Sequence, residues 1–328
     1  MPTAFVTGGS GFIGGVLIKR LLAEGWDVRA LARSEGSAGI VRDRGATPAR
    51  GDLDDVAGMT EGARGADVTF HAAAHLGEWG TREEFERGNV QGTRNALEAS
   101  RAAGVRRFVH VGTEAALMHG EPLVMADEGV PLQPGSKALY SATKAQAEQA
   151  VLDANGAGLE TVVVRPRLVW GVGDTTILPG VRAAAESGKW MWIGGGRHRT
   201  STTHVDNVVE GLWLGATKGA PGGVYFVTDG EPVVFREFFT RLLATQGVEL
   251  PDKAAPAPVV GALAAMGETA WRVLPLPGQP PVTRLAFWLA SQECTIDITR
   301  ARTELGYAPV RTIDDGMEEL ERAHLGGV

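Results

Sequence analysis

Thr3-Ala4-Phe5-Val6-Thr7-Gly8-Gly9-Ser10-Gly11-Phe12-Ile13-Gly14 stands at the head of the chain. An apolar, strand-like run enters a turn with glycine at every third position: Gly8, Gly11 and Gly14. The residues beyond read as a helix over 11–24, with Ile13, Leu17, Leu21 and Leu22 on one face. Each glycine has a separate reason. The first permits a tight turn, the second lets backbone approach a pyrophosphate, and the third lets the helix pack closely on the strand. Free N–H groups and a partial positive charge at the helix start then face the phosphates. With 45 glycines in 328 residues, a chance glycine-rich turn is the competing explanation. The position of the loop, between the first strand and first helix of an alternating series, favours a dinucleotide site. Gly8, Ser10, Gly11, Phe12, Ile13 and Gly14 are therefore expected to line it.

Outward from this loop, short apolar runs alternate with helical segments. Strands are expected over 27–32, 46–50, 67–71, 107–111 and 161–164, and helices over 87–103 and 140–154. This order predicts an α/β fold, a Rossmann-type doubly wound parallel sheet with helices on both faces and ligands at the strand ends. After Trp170, Pro, Gly and Trp become frequent and the periodicity weakens. The expected division is a dinucleotide-binding domain over 1–170 and a smaller substrate lobe over 171–328. Helices are expected over 177–187, 206–216, 235–245 and 313–324, with a late strand near 224–228 returning to the sheet.

The net charge of −7 carries no block of like charge, so nucleic acid is not an expected partner. Cys294 is the single cysteine, which excludes an internal disulfide and a cysteine-cluster metal site. The start of the chain lacks the basic and apolar regions of a secretory signal, so a cytoplasmic protein is expected. The apolar stretch 256–276 is broken by Glu268 and Arg272, which suits a buried or substrate-covering helix rather than a membrane span.

The end of the second strand selects the dinucleotide. An acidic residue there binds the ribose 2′-hydroxyl of NAD, whereas an arginine suits the 2′-phosphate of NADP. The segment reads Ala30-Leu31-Ala32-Arg33-Ser34, with no acid before Arg33. NADP(H) is expected, with Ser34 as an added phosphate contact and NAD(H) as the alternative. Asp52 and Leu53 follow the third strand, where Asp52 is placed to meet the adenine amino group.

Tyr140-Ser141-Ala142-Thr143-Lys144 is the candidate catalytic segment. Residues i and i+4 share a helix face, so Lys144 lies beside the Tyr140 ring. A nearby ammonium stabilises phenolate, and Tyr140 can then exchange a proton with a substrate oxygen while hydride moves at a nicotinamide. With three tyrosines and six lysines in the chain, this spacing rarely arises by chance. Thr113 leaves the carboxyl end of the strand over 107–111 and is placed to donate to the same oxygen, or simply to cap its turn.

Taken together, these segments resemble the extended short-chain dehydrogenase/reductase family. The carrying residues are Thr7 to Gly14, His71-Ala72-Ala73-Ala74, Asn89-Val90-Gln91-Gly92-Thr93, Thr113, and Tyr140 with Lys144. Trp79-Gly80, Arg165-Pro166-Arg167-Leu168-Val169-Trp170-Gly171 and the segment 278–284 are similar to its 3β-hydroxysteroid dehydrogenase-like branch. That branch includes bacterial 2-alkyl-3-oxoalkanoate reductases and sterol-4-carboxylate 3-dehydrogenases. The resemblance implies catalysis by Thr113, Tyr140 and Lys144. It also implies that Lys144 holds the nicotinamide ribose, that Ala72, Ala73 and Ala74 lie against the cofactor, and that Pro166 is near the nicotinamide. Helices flanking the fourth and fifth strands would pair in a homodimer. Glu114 beside Thr113 departs from the family pattern.

The expected substrate is an apolar ketone or secondary alcohol, a 3-oxo/3-hydroxy acid or steroid-like molecule. Trp170, Trp190, Trp192, Trp271 and Trp288 would suit it, although lobe-filling explains any one of them. Arg167, Arg197 and Arg199 are candidates for a carboxylate, and His198 and His204 read as loop or capping residues. An NAD-dependent nucleotide-sugar epimerase or dehydratase and a non-catalytic cofactor sensor are the competing readings. No metal site is expected.

Overall fold

The structure is a computed structural model that describes residues 1–274 and 276–326. Pro275, within the apolar stretch 256–276, and the last two residues of the expected lobe lie outside the described residues. In chain order, β1 (Thr3–Thr7), α1 (Phe12–Ala23), β2 (Asp27–Ala32), α2 (Glu35–Asp43), β3 (Thr47–Arg50), α3 (Val56–Ala63) and β4 (Val68–His71) form the first half of the sheet layer. Next come α4 (Arg82–Phe85), α5 (Gly92–Ala102), β5 (Arg107–Val111), β6 (Leu123–Ala126), α6 (Leu139–Asp153), β7 (Glu160–Pro166) and β8 (Val169–Trp170).

The seven-stranded sheet has the order β12-β7-β5-β4-β1-β2-β3, with every pairing parallel and β12 spanning Gly223–Val227. This is the doubly wound fold expected from the sequence. Successive strand residues point to opposite faces. Ala4 and Val6 of β1, Val109 and Val111 of β5, and Val162 and Val164 of β7 join one core with Leu17, Ile18 and Leu21 of α1. Phe5, Phe108 and Val163 point the other way, into a core with Met59 of α3, Leu97 of α5 and Val151 of α6. Burial on both faces explains why these strands read as continuous apolar runs. The order reverses between β1 and β4, which opens the crevice where such sheets bind ligands.

Beyond β8 run α7 (Ile177–Glu186), β9 (Trp192–Ile193), β10 (Arg199–Thr200), β11 (Thr203–His204), α8 (Val205–Lys218) and β12. They are followed by β13 (Val233–Val234), α9 (Phe235–Ala244), β14 (Ala254–Ala255), α10 (Ala257–Val273), α11 (Arg284–Ser291), β15 (Cys294–Ile296) and α12 (Ile313–Leu325). A second sheet, β13-β10-β15-β6, ties the late strands to β6 of the first half. Trp170, Trp192, Phe235, Phe238 and Phe239 fill a separate core here. Trp170 and Trp192 are thus core residues rather than exposed substrate contacts. Of the two alternatives for the stretch 256–276, a buried helix does not hold. α10 buries only Val260, Ala264 and Glu268, and Val259, Leu263 and Met266 are exposed. It is a surface helix, anchored by Glu268, whose carboxylate accepts the Arg284 N–H at 2.7 Å and pairs with its guanidinium. Among the described residues, no helix is long and apolar enough to cross a membrane.

Candidate active site

The glycine loop sits at the carboxyl end of β1. Gly8 has φ +74°, and a Cβ there would lie 2.7 Å from Ala73 N and 2.8 Å from the Ala72 carbonyl carbon, so β1 and the loop after β4 approach backbone to backbone. A Cβ on Gly14 would stand 2.2 Å from Gly8 O, so only glycine lets α1 pack against its own entry turn. Gly11 is the N-cap of α1 and supplies no side-chain cap. The first N–H groups of the helix therefore receive no side-chain cap from Gly11. One partner was invisible in the sequence. Arg44, at the end of α2, donates to Gly9 O and, at 2.9 Å, to Gly11 O, and it braces the loop from behind. Nothing local marks an arginine 33 residues away as the loop's support.

Arg33 is exposed at the end of β2 and forms no ion pair among the described residues, while the neighbouring Glu35 pairs with Arg42 and Arg50. Ser34 also caps α2: its hydroxyl accepts the Ser37 N–H in a capping box at the start of that helix. Asp52 is exposed, and its carboxylate accepts the Leu53 N–H at 2.7 Å. The Leu53 carbonyl accepts from Asn95 at 2.7 Å, which ties this turn to α5. Ala72, Ala73 and Ala74 are half-buried at the end of β4, with the Ala73 N–H donating to Thr7 Oγ1 at 3.3 Å.

The N-V-x-G-T segment has a structural purpose. The helix entered at α4 passes through a π-helical stretch, Glu86–Gln91, before α5, so it begins earlier than the expected 87. Asn89 lies in this stretch. Its amide oxygen accepts the His75 N–H at 2.8 Å, and its amide nitrogen donates to Thr143 Oγ1 at 3.1 Å. One buried side chain thereby links the loop after β4 to α6. Thr93 hydrogen-bonds His71 at 3.0 Å, and the other ring nitrogen of His71 meets Thr7 Oγ1 at 2.8 Å.

Tyr140 and Lys144 share a face of α6, with Glu148 one turn further on. The Tyr140 ring packs on the core and is half-buried. The Lys144 Nζ, 4% exposed, donates to Val111 O at 2.9 Å, at the end of β5. Burial lowers its pKa to about 8, against the opposing pull of Glu148. Glu148 is fully buried and paired with Arg165 of β7. Burial pushes the Tyr140 phenol above its ordinary range, and Glu114 pushes it the same way. Thr113 caps the turn after β5, accepting the Ala115 N–H at 3.2 Å, and its proton goes to Glu114 Oε2 at 2.8 Å.

Thr113, Tyr140 and Lys144 therefore meet where β5 leaves the sheet. The whole of residues 5–256 matches the 3-beta hydroxysteroid dehydrogenase/isomerase family. The chain belongs to this family. It is 47% identical over 323 residues to a 4-hydroxy-2-methyl-3-oxo-4-farnesyl-3,4-dihydroquinoline-1-oxide ketoreductase of Stigmatella aurantiaca, covering 98% of this chain and 97% of that one. It is 37% identical over 327 residues to a 2-alkyl-3-oxoalkanoate reductase of Stenotrophomonas maltophilia, covering 96% and 97%. Among solved structures, that of gox2253 superposes with a TM-score of 0.80 at 27% identity, over 100% of this chain and 98% of that one. This family member is an NAD(P)-dependent oxidoreductase with a Rossmann-type fold, and its likeness to the reductase branch is the one read from its motifs.

The segment between β7 and β8 corrects one substrate clue. Arg167 does not await a carboxylate, because it is 1% exposed and its Nη1 meets Glu114 Oε1 at 2.6 Å. Arg199 donates to Pro232 O, and Arg197 is exposed. His204 caps α8, its Nδ1 accepting the Asp206 N–H at 3.2 Å, in line with the capping expectation.

Proposed function

We propose that the chain is an NADP(H)-dependent ketoreductase that interconverts a ketone and a secondary alcohol on an apolar, 3-oxo-acid-like or steroid-like substrate. The observation that carries this reading is the buried Lys144 ammonium, one helical turn from Tyr140 and anchored to the end of β5 at Val111 O. When bound, the reduced nicotinamide supplies the hydride. Tyr140 donates its proton to the substrate oxygen, and Lys144 stabilises the phenolate left behind. The raised phenol pKa suits this role, since the acid must carry its proton at neutral pH. The names of the relatives, a ketoreductase and an oxoalkanoate reductase, support an apolar oxo substrate.

The preference for NADP(H) rests on Arg33, an exposed guanidinium at the end of β2 that forms no ion pair among the described residues and has no acid before it in the strand. NADP should bind at least about tenfold tighter than NAD, a difference of about 1.4 kcal/mol. Arg33→Asp should abolish or reverse that ratio, as dissociation constants from cofactor fluorescence would show. Arg33 in place of an acid at the end of β2 also counts against an NAD-dependent nucleotide-sugar enzyme.

NADPH consumption assayed against apolar ketones and long-chain β-keto esters, with nucleotide sugars in parallel, tests the whole reading. Turnover of the apolar set alone is expected. Bound NAD in the purified protein, with turnover of nucleotide sugars, would overturn it.

A further inference from the structure

The face of α6 that carries Tyr140 and Lys144 continues one turn further, into an ion pair that the proposed proton transfer does not use. Residues i and i+4 share a helix face, so Glu148 stands beyond Lys144 as Lys144 stands beyond Tyr140. Both Glu148 oxygens accept from Arg165 Nε of β7, at 2.9 and 3.1 Å, and Arg165 Nη2 adds a further bond to Oε1. The pair is enclosed, with side-chain exposures of 0% for Glu148 and 3% for Arg165. It lies against the end of β5. A Cβ on Gly112 would stand 3.1 Å from Glu148 Oε2 and 3.1 Å from Arg165 Cγ, so only glycine there leaves the pair its room. Val111, the residue before, offers the carbonyl that takes Lys144 Nζ at 2.9 Å. The ammonium and the carboxylate are thus lodged against consecutive residues of one strand end. A buried ion pair adds little net stability over apolar residues of similar volume, so stability alone gives little reason for charges in this place.

We propose that Glu148, clamped by Arg165, is a positioning residue that holds a positive charge on Lys144 at the end of β5 and so keeps the lysine able to serve Tyr140. The proposal rests on the ketoreductase reading and adds to it a residue that acts through Lys144. Its physics is a row of alternating charge. Burial strips water from the ammonium and favours its neutral form, which lowers Lys144 to about 8, and Glu148 pulls the other way. A carboxyl buried this deeply would itself take up a proton if it stood alone, and Arg165 keeps it ionised. The other groups around Lys144 lend it less. His71 of β4 and His110 of β5 are held neutral by burial, with the Lys144 charge as a second cause. Tyr140 is a protonated phenol, and Glu114 after β5 lies beyond it. Glu128 lies on the far side of the pair, where it feels Arg165 and accepts the Phe226 N–H at 2.8 Å. Arg94 and Glu98 of α5 meet the opposite face of α6, at Gln146 and Gln149. Glu148 is therefore the anion whose loss Lys144 should feel most.

The test uses the full chain, with lysine isotope-labelled at its ε-carbon and followed by NMR from about pH 6 to about pH 10. The chain holds six lysines, and Lys144→Arg identifies the signal in question by removing it. Glu148→Gln keeps the shape of the side chain and deletes its charge, which leaves the buried Arg165 cation uncompensated beside Lys144. The Lys144 titration should fall by roughly one pH unit or more. Glu148→Asp keeps the charge and alters the shape, and its Lys144 should titrate close to the wild type. A merely structural role predicts the reverse order, with E148D the more disturbed of the two. The kinetic readout is the pH profile of kcat/KM for reduction of a long-chain β-keto ester by NADPH, whose alkaline limb should move down in E148Q together with the lysine signal. A folded E148Q in which Lys144 titrates as in the wild type overturns the proposal, and so does a moved lysine signal with an unmoved alkaline limb. If E148Q does not fold, E148Q/R165Q, which leaves no charge of the pair behind, replaces it with the same two overturning results. The NMR titration needs neither substrate nor cofactor. A moved signal without turnover of any apolar ketone would therefore count against the ketoreductase reading and leave the hold of Glu148 on Lys144 standing.

Discussion

His71 and His110 stack beneath the site, with ring centroids 5.4 Å apart and both side chains 1% exposed. Burial, with the Lys144 charge as a second cause, lowers His71 to about 3 and holds His110 well below the ordinary imidazole range. Both rings stay neutral in the folded state at pH values where the unfolded chain protonates them. The unfolded state then binds more protons, so stability falls as pH falls through that window, by up to ~1.4 kcal/mol per pH unit for each histidine. Urea midpoints measured from pH 7 to about pH 4 should show this slope, and His110→Leu should remove about half of it. At this same scale the sequence was unevenly legible. Tyr140 and Lys144 could be paired because i and i+4 share a face. The pairing of Glu114 with Arg167 spans 53 residues and three elements, so no local pattern announces it. Arg167 instead read as a free carboxylate receptor.

At the scale of elements, the turn from β1 to α1 is legible because its three glycines answer three separate steric demands. Gly14→Ala tests the tightest of them. Its Cβ would stand 2.2 Å from Gly8 O, a backbone atom that cannot move without displacing the phosphate-facing turn. A loss of roughly 1–3 kcal/mol in stability is expected, with weakened binding of both NADP and NAD. Thermal unfolding and cofactor titration would check this, and unchanged cofactor affinity would argue that the turn does not touch the phosphates. The strands of the large sheet were readable as apolar runs because both of their faces are buried. The two-residue strands β8 to β11, β13 and β14 were not, since two residues establish no period. β6 was missed because Leu123 and Ala126 are buried while Val124 and Met125 are exposed, which is no alternation. The π-helical entry to α5 was equally hidden, although the Asn89 it places was conspicuous in the N-V-x-G-T segment.

Across the whole molecule, the segments proposed for cofactor binding and for proton transfer lie on different elements, at the carboxyl ends of the sheet strands. The glycine loop and Arg33 belong to β1 and β2, whereas Tyr140 and Lys144 belong to α6. Asn89 bridges the loop after β4 to that helix. On the far side of α5 and α6 lies an open groove of about 650 Å³, floored by Leu97, Leu132, Ala145 and Ala150 and rimmed by Arg94, Glu98 and Gln149. This is the face that the family resemblance would pair in a homodimer. Light scattering should return twice the mass of one chain, and Ala150→Arg should return the monomer with cofactor binding intact; a monomeric wild-type protein would remove this proposal. The separation of duties also makes the central claim directly testable. Tyr140→Phe removes one oxygen and leaves the glycine loop, Arg33 and Lys144 in place. Measured side by side, the NADPH dissociation constant should stay within about twofold, and reduction of a long-chain β-keto ester should fall by about 10²- to 10⁴-fold. Near-wild-type turnover by this variant would contradict the account.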